Sequence, residues 1–407
     1  MEAKAVLIKS VNKSYARITL LFAVTYMISY ITRINYGAII SEMVSATGFT
    51  KAQLSMALTG SFITYGVGQI ISGICGDKFS PKKLITLGLI LTVLMNLLIP
   101  ICKNPHQMLV VWCINGFAQS LMWPPLVRLM SVLLSDEDYK KASTKVSWGS
   151  SIGTVVVYLI SPLLISLFGW KSVFIFSAIC GAVMIFVWNR YSYDTGIPVT
   201  KNEVSRNRTE KSSLFGIVMI GVIAAIILQG MLRDGVTTWM PSYISETYNM
   251  SNEISILTGV ILPLFGLICI QAASTLYIKK FTNPLMCAGA FFFTGAISAL
   301  ALFLLTSKNA AFSVLFSALL TGSMHGVNLI LICMIPPFFK SRGNVSTVSG
   351  VLNSCTYIGS AISTYGIAVL SENIGWSNTL LVWLMIALLG TAICMVCFKP
   401  WYRFIFK

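Results

Sequence analysis

Long apolar runs separated by short polar stretches make up most of this chain. Runs of roughly twenty or more apolar residues recur about twelve times, and a helix of that length crosses the hydrocarbon core of a bilayer. A membrane β-barrel would instead show short strands with alternating polarity, which these continuous runs exclude. The pattern predicts spans at 18–44, 51–76, 83–102, 107–134, 142–168, 172–192, 214–245, 252–278, 283–306, 309–339, 344–371 and 375–398.

The charge distribution gives these spans an orientation. The chain is 56% hydrophobic and only 10% charged, which is too little charge to cover a soluble protein. Its net charge of +16 indicates topology rather than nucleic-acid binding, because most basic residues fall in every second loop. We therefore expect a multi-pass protein of the cell membrane with both termini in the cytoplasm. The outer side holds only Lys51, Lys103, Lys171 and Lys308.

The chain divides into two halves at its longest polar stretch, between the sixth and seventh spans. We expect a first six-helix bundle at 1–192, a cytoplasmic linker at 193–213 and a second bundle at 214–407. The run at Gly68–Pro81 aligns weakly with that at Ile270–Asn283, and each closes the second span of its half. The prediction is an all-α membrane protein of twelve transmembrane helices in two bundles, the major facilitator plan, with a substrate cavity between the halves.

The first span of each half contains one arginine, Arg33 in the first half and Arg233 in the second. A guanidinium in a membrane costs several kcal/mol, so it persists with a counter-ion or a function. Its planar fork binds phosphate through two parallel hydrogen bonds. The alternative is that each arginine pairs with a nearby acid, but Asp234 follows Arg233 directly and should point about 100° away around the helix. The pattern predicts one central anion site that uses both arginines.

The loop after the second span resembles the loop with the pattern GxxxD(R/K)xGx(R/K)(R/K) that is typical of the major facilitator superfamily. It reads GICGDKFSPKK over Gly73–Lys83, with Ser80 where the second glycine is usual. Asp77 and Lys78 are expected to latch one conformation of the two halves rather than to bind substrate. Arg128, toward the cytoplasmic end of the fourth span, is expected to tie helix ends together in the same latch.

Three stretches together are similar to the organophosphate:phosphate antiporter family, which includes glycerol-3-phosphate and hexose-phosphate carriers. They read YMISYITRINY from Tyr26, QSLMWPPLVR from Gln119 and LRDGVTTWMPSY from Leu232. The resemblance runs over the whole chain. It implies that Arg33 and Arg233 bind the phosphate group and that Tyr65 matches a tyrosine of the cavity.

Further substrate-binding candidates follow from helical spacing and from positions where this chain differs from the family pattern. Tyr26 and Tyr30 precede Arg33 by seven and three residues, so they share its helix face. Gln69 stands where the glycerol-3-phosphate carriers have a lysine, and Ile152 where they have a histidine, which leaves the exact substrate open. Weaker candidates for pathway residues are Asn35, Asn115, Gln119, Tyr158 and His325.

These features predict a secondary transporter that exchanges an organic phosphate ester for inorganic phosphate by alternating access. Asp234 is the only acid clearly inside a span, so no obvious proton relay is visible. One alternative is a symporter of a carboxylated solute such as a sugar acid, since a carboxylate also suits arginine. Another is an organophosphate sensor that transports little.

The sequence offers no enzyme chemistry. No nucleophile–base set or phosphate-binding loop is visible, and only two histidines occur, so we expect neither an enzyme nor a metal site. The expected partners are a small anionic substrate, inorganic phosphate and the lipid bilayer, with no cofactor and no nucleic acid. The chain is expected to be a monomer.

Overall fold

The structure, a computed structural model, describes residues 15–192, 216–250, 261–305 and 309–406. No strand occurs in these ranges. The predicted linker at 193–213 and the start of the predicted eighth span lie outside them. The helices are α1 Tyr15–Ala38, α2 Ile40–Thr47, α3 Lys51–Lys78, α4 Pro81–Leu98, α5 Pro105–Ser120, α6 Trp123–Leu133, α7 Asp136–Phe168, α8 Lys171–Tyr191, α9 Ile217–Tyr248, α10 Ile261–Lys279, α11 Pro284–Leu305, α12 Ala310–Asn328 and α13 Val345–Phe406.

Each predicted span has a helical counterpart in the described ranges, and ten helices there are long and apolar enough to cross a bilayer. The predicted fourth span is instead two shorter helices, α5 and α6, with a break at Leu121 and Met122. Pro124 and Pro125 explain the break, because neither has an N–H to donate to the carbonyls of Ser120 and Leu121 four residues earlier. The prediction of a helical, multi-pass membrane protein is confirmed.

The predicted eleventh and twelfth spans both lie within α13. Gly375 interrupts this helix with φ 75° and ψ 169°, a conformation that suits glycine, so the chain bends there and continues as a second helical segment. The first segment is too polar to count among the ten apolar helices, since Ser, Thr and Asn recur along it.

Local sequence explains where the helices begin. The Thr50 hydroxyl accepts from the Gln53 backbone N–H at 3.2 Å, while the Gln53 side chain accepts from the Thr50 N–H at 2.9 Å. This reciprocal cap starts α3. Pro81 fills the first position of α4, where its missing N–H is not needed. The Asn104 side chain accepts from the Gln107 N–H at 2.9 Å and starts α5.

The described residues group into two compact units. The first holds those up to residue 204 together with 336–354, and the second holds those of 205–335 and from 355 onward. An aromatic cluster forms part of the core of the first unit, with ring centroids 5.0 Å apart for Tyr36 and Trp112 and 5.9 Å apart for Trp112 and Phe174. In the second unit, α12 is the most enclosed helix and packs against α9, α10 and α11.

Each unit brings two helices into backbone contact at glycine. In the first unit, a Cβ on Gly153 of α7 would lie 2.6 Å from the Met27 carbonyl oxygen of α1. In the second unit, a Cβ on Gly359 of α13 would lie 2.9 Å from the Ile227 carbonyl carbon of α9. Small residues allow this close packing, which stabilises helix pairs in membranes. The two arginine-bearing helices, α1 and α9, are therefore held in similar ways.

Large apolar side chains cover the outside of both units. Examples include Leu159 at 70% exposed, Phe186 at 73% and Val396 at 73%. Apolar surface on this scale is not compatible with water and fits contact with lipid chains. The described helices therefore present their apolar faces outward and keep much of their polar chemistry inside.

Candidate functional site

Arg33 lies on α1 among aromatic rings. Its guanidinium carbon is 4.3 Å from the centroid of the Tyr30 ring and 4.7 Å from that of Tyr65 on α3. Tyr26 continues the cluster, with ring centroids 5.1 Å from Tyr30 and 4.8 Å from Trp123. The structure therefore places two of the predicted tyrosines against Arg33 and the third, Tyr26, against Tyr30. The ring faces attract the cation and hold the fork in place without neutralising it.

Elsewhere on α1, polar side chains form hydrogen bonds with other helices of the first unit. The Ser29 hydroxyl donates to the Gln119 side-chain oxygen at 2.7 Å, and the Gln119 amide donates to the Thr32 hydroxyl at 2.9 Å. The Asn35 amide donates to the Asn96 side chain at 2.7 Å. These side chains are buried and bonded across helices, so they fix the position of α1, the helix that carries Arg33.

Gln69 lies in a helix contact. Its side-chain oxygen accepts from the Asn353 amide at 3.0 Å, and its amide donates to the Ser120 carbonyl at 3.4 Å. Gln69 is 0% exposed. The contacts that the structure shows for it are therefore packing contacts within the first unit, and its substrate-binding role stays a prediction.

Asp77 caps the start of α13. Its two carboxylate oxygens accept from the backbone N–H groups of Ser346 at 2.9 Å and Thr347 at 2.7 Å. The first N–H groups of a helix have no partner inside the helix and carry partial positive charge, so a carboxylate is favoured there. Gly73 makes room for this contact, because a Cβ on it would lie 2.8 Å from the Ser346 carbonyl oxygen.

The two basic residues of the predicted latch behave differently. The Arg128 guanidinium donates to the Gly76 carbonyl near the end of α3, which joins the ends of α3 and α6. Lys78 is exposed at the end of α3. Asp77 and Gly76, whose carbonyl Arg128 binds, are adjacent residues in the last turn of α3. The conformational role of Asp77, Lys78 and Arg128 stays a prediction.

Arg233 on α9 is paired with its sequence neighbour. Its Nε donates to Asp234 Oδ1 at 2.7 Å and its Nη2 donates to Asp234 Oδ2 at 2.9 Å. The expectation that Asp234 would point away from Arg233 is wrong. Adjacent Cα–Cβ bonds do diverge by about 100°, but the long arginine stem can bend back and bring its fork against the neighbouring carboxylate.

Further groups in the second unit act on this pair. The Ser360 hydroxyl of α13 donates to the Asp234 carboxylate. His325 of α12 is close enough to interact electrostatically with both Arg233 and Asp234. One turn before the arginine, the Gln229 amide donates to the Met324 carbonyl at 3.2 Å. The second arginine therefore lies in a polar cluster formed by α9, α12 and α13.

The sequence did not assign Trp123, Ser360 or Asp234 to the site, and the signals that these residues carry differ. Trp123 belongs to the WPP stretch and packs against Tyr26, yet its spacing alone did not place it beside α1. Ser360 is one of many small polar residues on α13, and nothing in the sequence distinguishes it from the others. Asp234 was visible as the one acid inside a span, and that rarity was the available signal for a functional partner of Arg233.

Comparisons with known proteins agree with this architecture. A family model described as the Major Facilitator Superfamily matches residues 22–364. A protein named "Probable hexose phosphate transport protein" from Chlamydia muridarum is 23% identical over 411 residues, covering 92% of this chain and 87% of its own. The "Glycerol-3-phosphate transporter" of Bacillus subtilis is 28% identical over 255 residues, covering 56% of each chain.

Solved structures share the fold. The proton:xylose symporter XylE gives a TM-score of 0.76 at 12% identity, with 94% of this chain and 95% of that chain covered. The transporter FucP, in its outward conformation, gives 0.74 at 13% identity, with 94% and 99% covered. The predicted fold and the predicted resemblance to organophosphate carriers are both confirmed.

Proposed function

Because this chain belongs to the major facilitator superfamily, we propose that it carries a phosphate ester of the hexose phosphate or glycerol phosphate class in exchange for inorganic phosphate. Similarity over 92% of the chain to a probable hexose phosphate transport protein supports the ester class. Orientation follows the loop charges, with the protein in the cell membrane and both termini in the cytoplasm. The transported anions are its partners, and it acts as a monomer.

The observation that carries this proposal is one arginine at corresponding helices of the two halves, Arg33 on α1 and Arg233 on α9. Both side chains are held by their surroundings, Arg33 by tyrosine rings and Arg233 by Asp234 and its neighbours. A guanidinium stays charged throughout and offers five donors in a fixed plane. Both arginines bind the phosphate group of the substrate, which is the part that the ester and inorganic phosphate share.

Exchange follows from the cost of charge in the bilayer. Two arginines inside the bilayer are costly, and the Asp234 carboxylate that pairs with Arg233 supplies a single negative charge. A bound phosphate dianion adds more negative charge beside them. The loaded carrier therefore changes access faster than the empty one, and an anion on the far side accelerates uptake.

The aromatic cluster beside Arg33 serves the organic part of the substrate. Tyr26, Tyr30, Tyr65 and Trp123 combine apolar ring faces with hydroxyl or indole N–H donors. The Trp123 side chain is buried, and its N–H has no hydrogen-bond partner in the described part of the chain. These rings pack against the carbon skeleton of the ester, and their polar atoms bind its hydroxyls.

The latch residues control access. Asp77 holds the first turn of α13 through two backbone hydrogen bonds, and Arg128 fixes the neighbouring end of α3. Release of the α13 N–H groups from Asp77 accompanies the change of access, and Lys78 at the exposed end of α3 acts in the same latch.

Counterflow in proteoliposomes tests the proposal. Vesicles loaded with inorganic phosphate should accumulate radiolabelled glucose 6-phosphate or glycerol 3-phosphate, and vesicles without internal anion should take up several-fold less. Arg33→Lys and Arg233→Lys should each reduce this uptake, because lysine keeps the charge but loses the fork. Glu137→Gln, at an exposed ion pair on α7, is the matched control and should leave uptake unchanged.

Competition separates the alternatives. If sugar acids block uptake as well as phosphate does, and a pH gradient drives uptake without internal anion, the chain is a carboxylate symporter. If purified protein binds glucose 6-phosphate but loaded and empty vesicles both fail to take it up, the sensor reading replaces transport.

A further inference from the structure

The pairing of Arg233 and Asp234 occupies one of the two edges through which a guanidinium can bind an oxyanion with two hydrogen bonds. This edge consists of Nε and Nη2, and both atoms donate to the Asp234 carboxylate at 2.7 Å and 2.9 Å. The Arg233 side chain is 14% exposed and that of Asp234 is 32% exposed. A second anion can use this edge only after Asp234 moves.

The neighbours of Asp234 offer it a second position. The Ser360 hydroxyl of α13 already donates to Asp234 Oδ2, the oxygen that also accepts from Arg233 Nη2. The titratable and charged groups that face Asp234 are Arg233 on its own helix and His325 on α12, while α13 contributes the Ser360 hydroxyl. Asp234 can therefore leave Arg233 and remain hydrogen-bonded to α13.

We propose that Asp234 is an internal counter-anion of Arg233 that incoming phosphate displaces, and that the displaced carboxylate takes up one proton. This inference rests on the proposed function and adds a proton to it. Each anion then binds together with one proton, and the empty site keeps Arg233 compensated by Asp234. The role of Asp234 is regulation of the anion site, since it competes with the substrate for the same two donors.

Electrostatics requires the proton. A displaced, ionised Asp234 would lie beside a bound phosphate dianion inside a membrane span, where two like charges at short range strongly disfavour ionisation of the carboxylate. The proton comes from the water on the side from which the anion enters, and it binds a carboxylate oxygen of Asp234. When the anion leaves, Asp234 releases that proton to the same water phase as the anion and returns to Arg233. In exchange, each anion therefore crosses with one proton in its own direction.

Calorimetry on the purified full-length protein tests this inference. Phosphate esters have a second pKa of about 6, so glucose 6-phosphate near pH 8 is almost entirely dianionic and brings no proton of its own. Titrations in two buffers with different ionisation enthalpies give the number of protons taken up per bound ligand. The wild-type protein should take up about one proton per ligand, and Asp234→Asn should take up almost none. The variant should also bind at least tenfold more tightly, because its internal competitor is weakened.

Three further variants separate the possible proton acceptors. Ser360→Ala keeps the Asp234 carboxylate but removes the hydroxyl to which that carboxylate would move. This variant should keep the proton uptake, and its affinity for the ligand should change by about threefold. It also provides a test if Asp234→Asn fails to fold. His325→Gln should keep the proton uptake. Glu137→Gln removes the carboxylate of an exposed pair with Lys141 and should match the wild type in both quantities.

Equal proton uptake by wild type and Asp234→Asn overturns the inference, as does loss of the uptake in His325→Gln or Ser360→Ala with Asp234 intact. In those cases exchange in proteoliposomes still supports the proposed function. If the wild-type protein binds neither glucose 6-phosphate nor inorganic phosphate, the proposed function fails and the counter-anion inference fails with it.

Discussion

The two arginines occupy corresponding helices of the two halves, but different chemistry surrounds them. Arg33 faces the rings of Tyr30 and Tyr65, whereas two donors of Arg233 bind the carboxylate of Asp234. Rings orient a guanidinium and leave its charge in place, whereas a carboxylate cancels the charge until something displaces it. The two halves thus hold their arginines through different contacts, ring faces for Arg33 and a carboxylate for Arg233. If both bind phosphate as proposed, only Arg233 has to exchange Asp234 for the anion.

The largest effect on this comparison should come from Arg33→Lys. Lysine at this position loses both the two-donor fork and the stacking on the tyrosine rings, so affinity for inorganic phosphate should fall about 100-fold, or about 2.7 kcal/mol. Equilibrium binding to purified protein measures this, with Glu137→Gln as the control. Affinity within threefold of the wild type would remove Arg33 from the anion site.

The glycine contacts test whether the two arginine-bearing helices are held alike. Valine at Gly153 or at Gly359 would press on the backbone of α1 or α9, so each variant should lose about 2 kcal/mol of stability through overpacking. Thermal unfolding in detergent measures the loss. Gly366→Ala is the control, because a Cβ on Gly366 meets nothing within 4 Å and the change should be neutral or slightly stabilising. A loss in only one of the two variants would show that the helix pairs are not equivalent.

A smaller effect is expected for Arg233→Lys than for Arg33→Lys. Lysine loses the fork, but it also pairs less firmly with Asp234. Because Asp234 is then a weaker competitor of phosphate, part of the loss in phosphate affinity is offset. A fall of about tenfold, or about 1.4 kcal/mol, is expected in the same binding measurement. If Arg233→Lys is at least as severe as Arg33→Lys, Asp234 does not compete for this site.

The smallest effect should appear at Tyr65. Tyr65→Leu removes one ring from Arg33 and should weaken phosphate binding about fivefold, in line with about 1 kcal/mol for a cation–ring contact. Tyr65→Phe keeps the ring and should recover most of the loss. If Phe is as weak as Leu, the hydroxyl of Tyr65 matters rather than its ring face.

Much of the fold could be read from the sequence because apolar run length and loop charge are local signals. The twelve spans and the membrane placement of Arg33 needed only those. Tyr26 and Tyr30 followed from helical spacing, and the structure places both rings in the Arg33 cluster. The break between α5 and α6 had a local cause in Pro124 and Pro125, but the apolar run across it concealed two helices.

The rest depended on contacts between distant residues or on side-chain flexibility. Asp77 was expected to act in the latch, but that it caps the start of α13 depended on packing against Ser346 and Thr347. Gln69 was assigned to the site from a family position, and only the structure shows its side-chain oxygen accepting from the Asn353 amide. The Arg233–Asp234 pair was missed because a helical projection fixes the direction of Cβ and not that of a guanidinium several bonds further on.

One phosphate bound by both Arg33 and Arg233 is the arrangement proposed above, and binding stoichiometry distinguishes it from two separate sites. Calorimetric titration of the full-length protein with inorganic phosphate should give a single site in the wild type, and either arginine-to-lysine change should weaken that one site. Two phosphates bound per wild-type chain, or a full-affinity site that survives in either variant, would show that the arginines serve separate anions and would contradict the account.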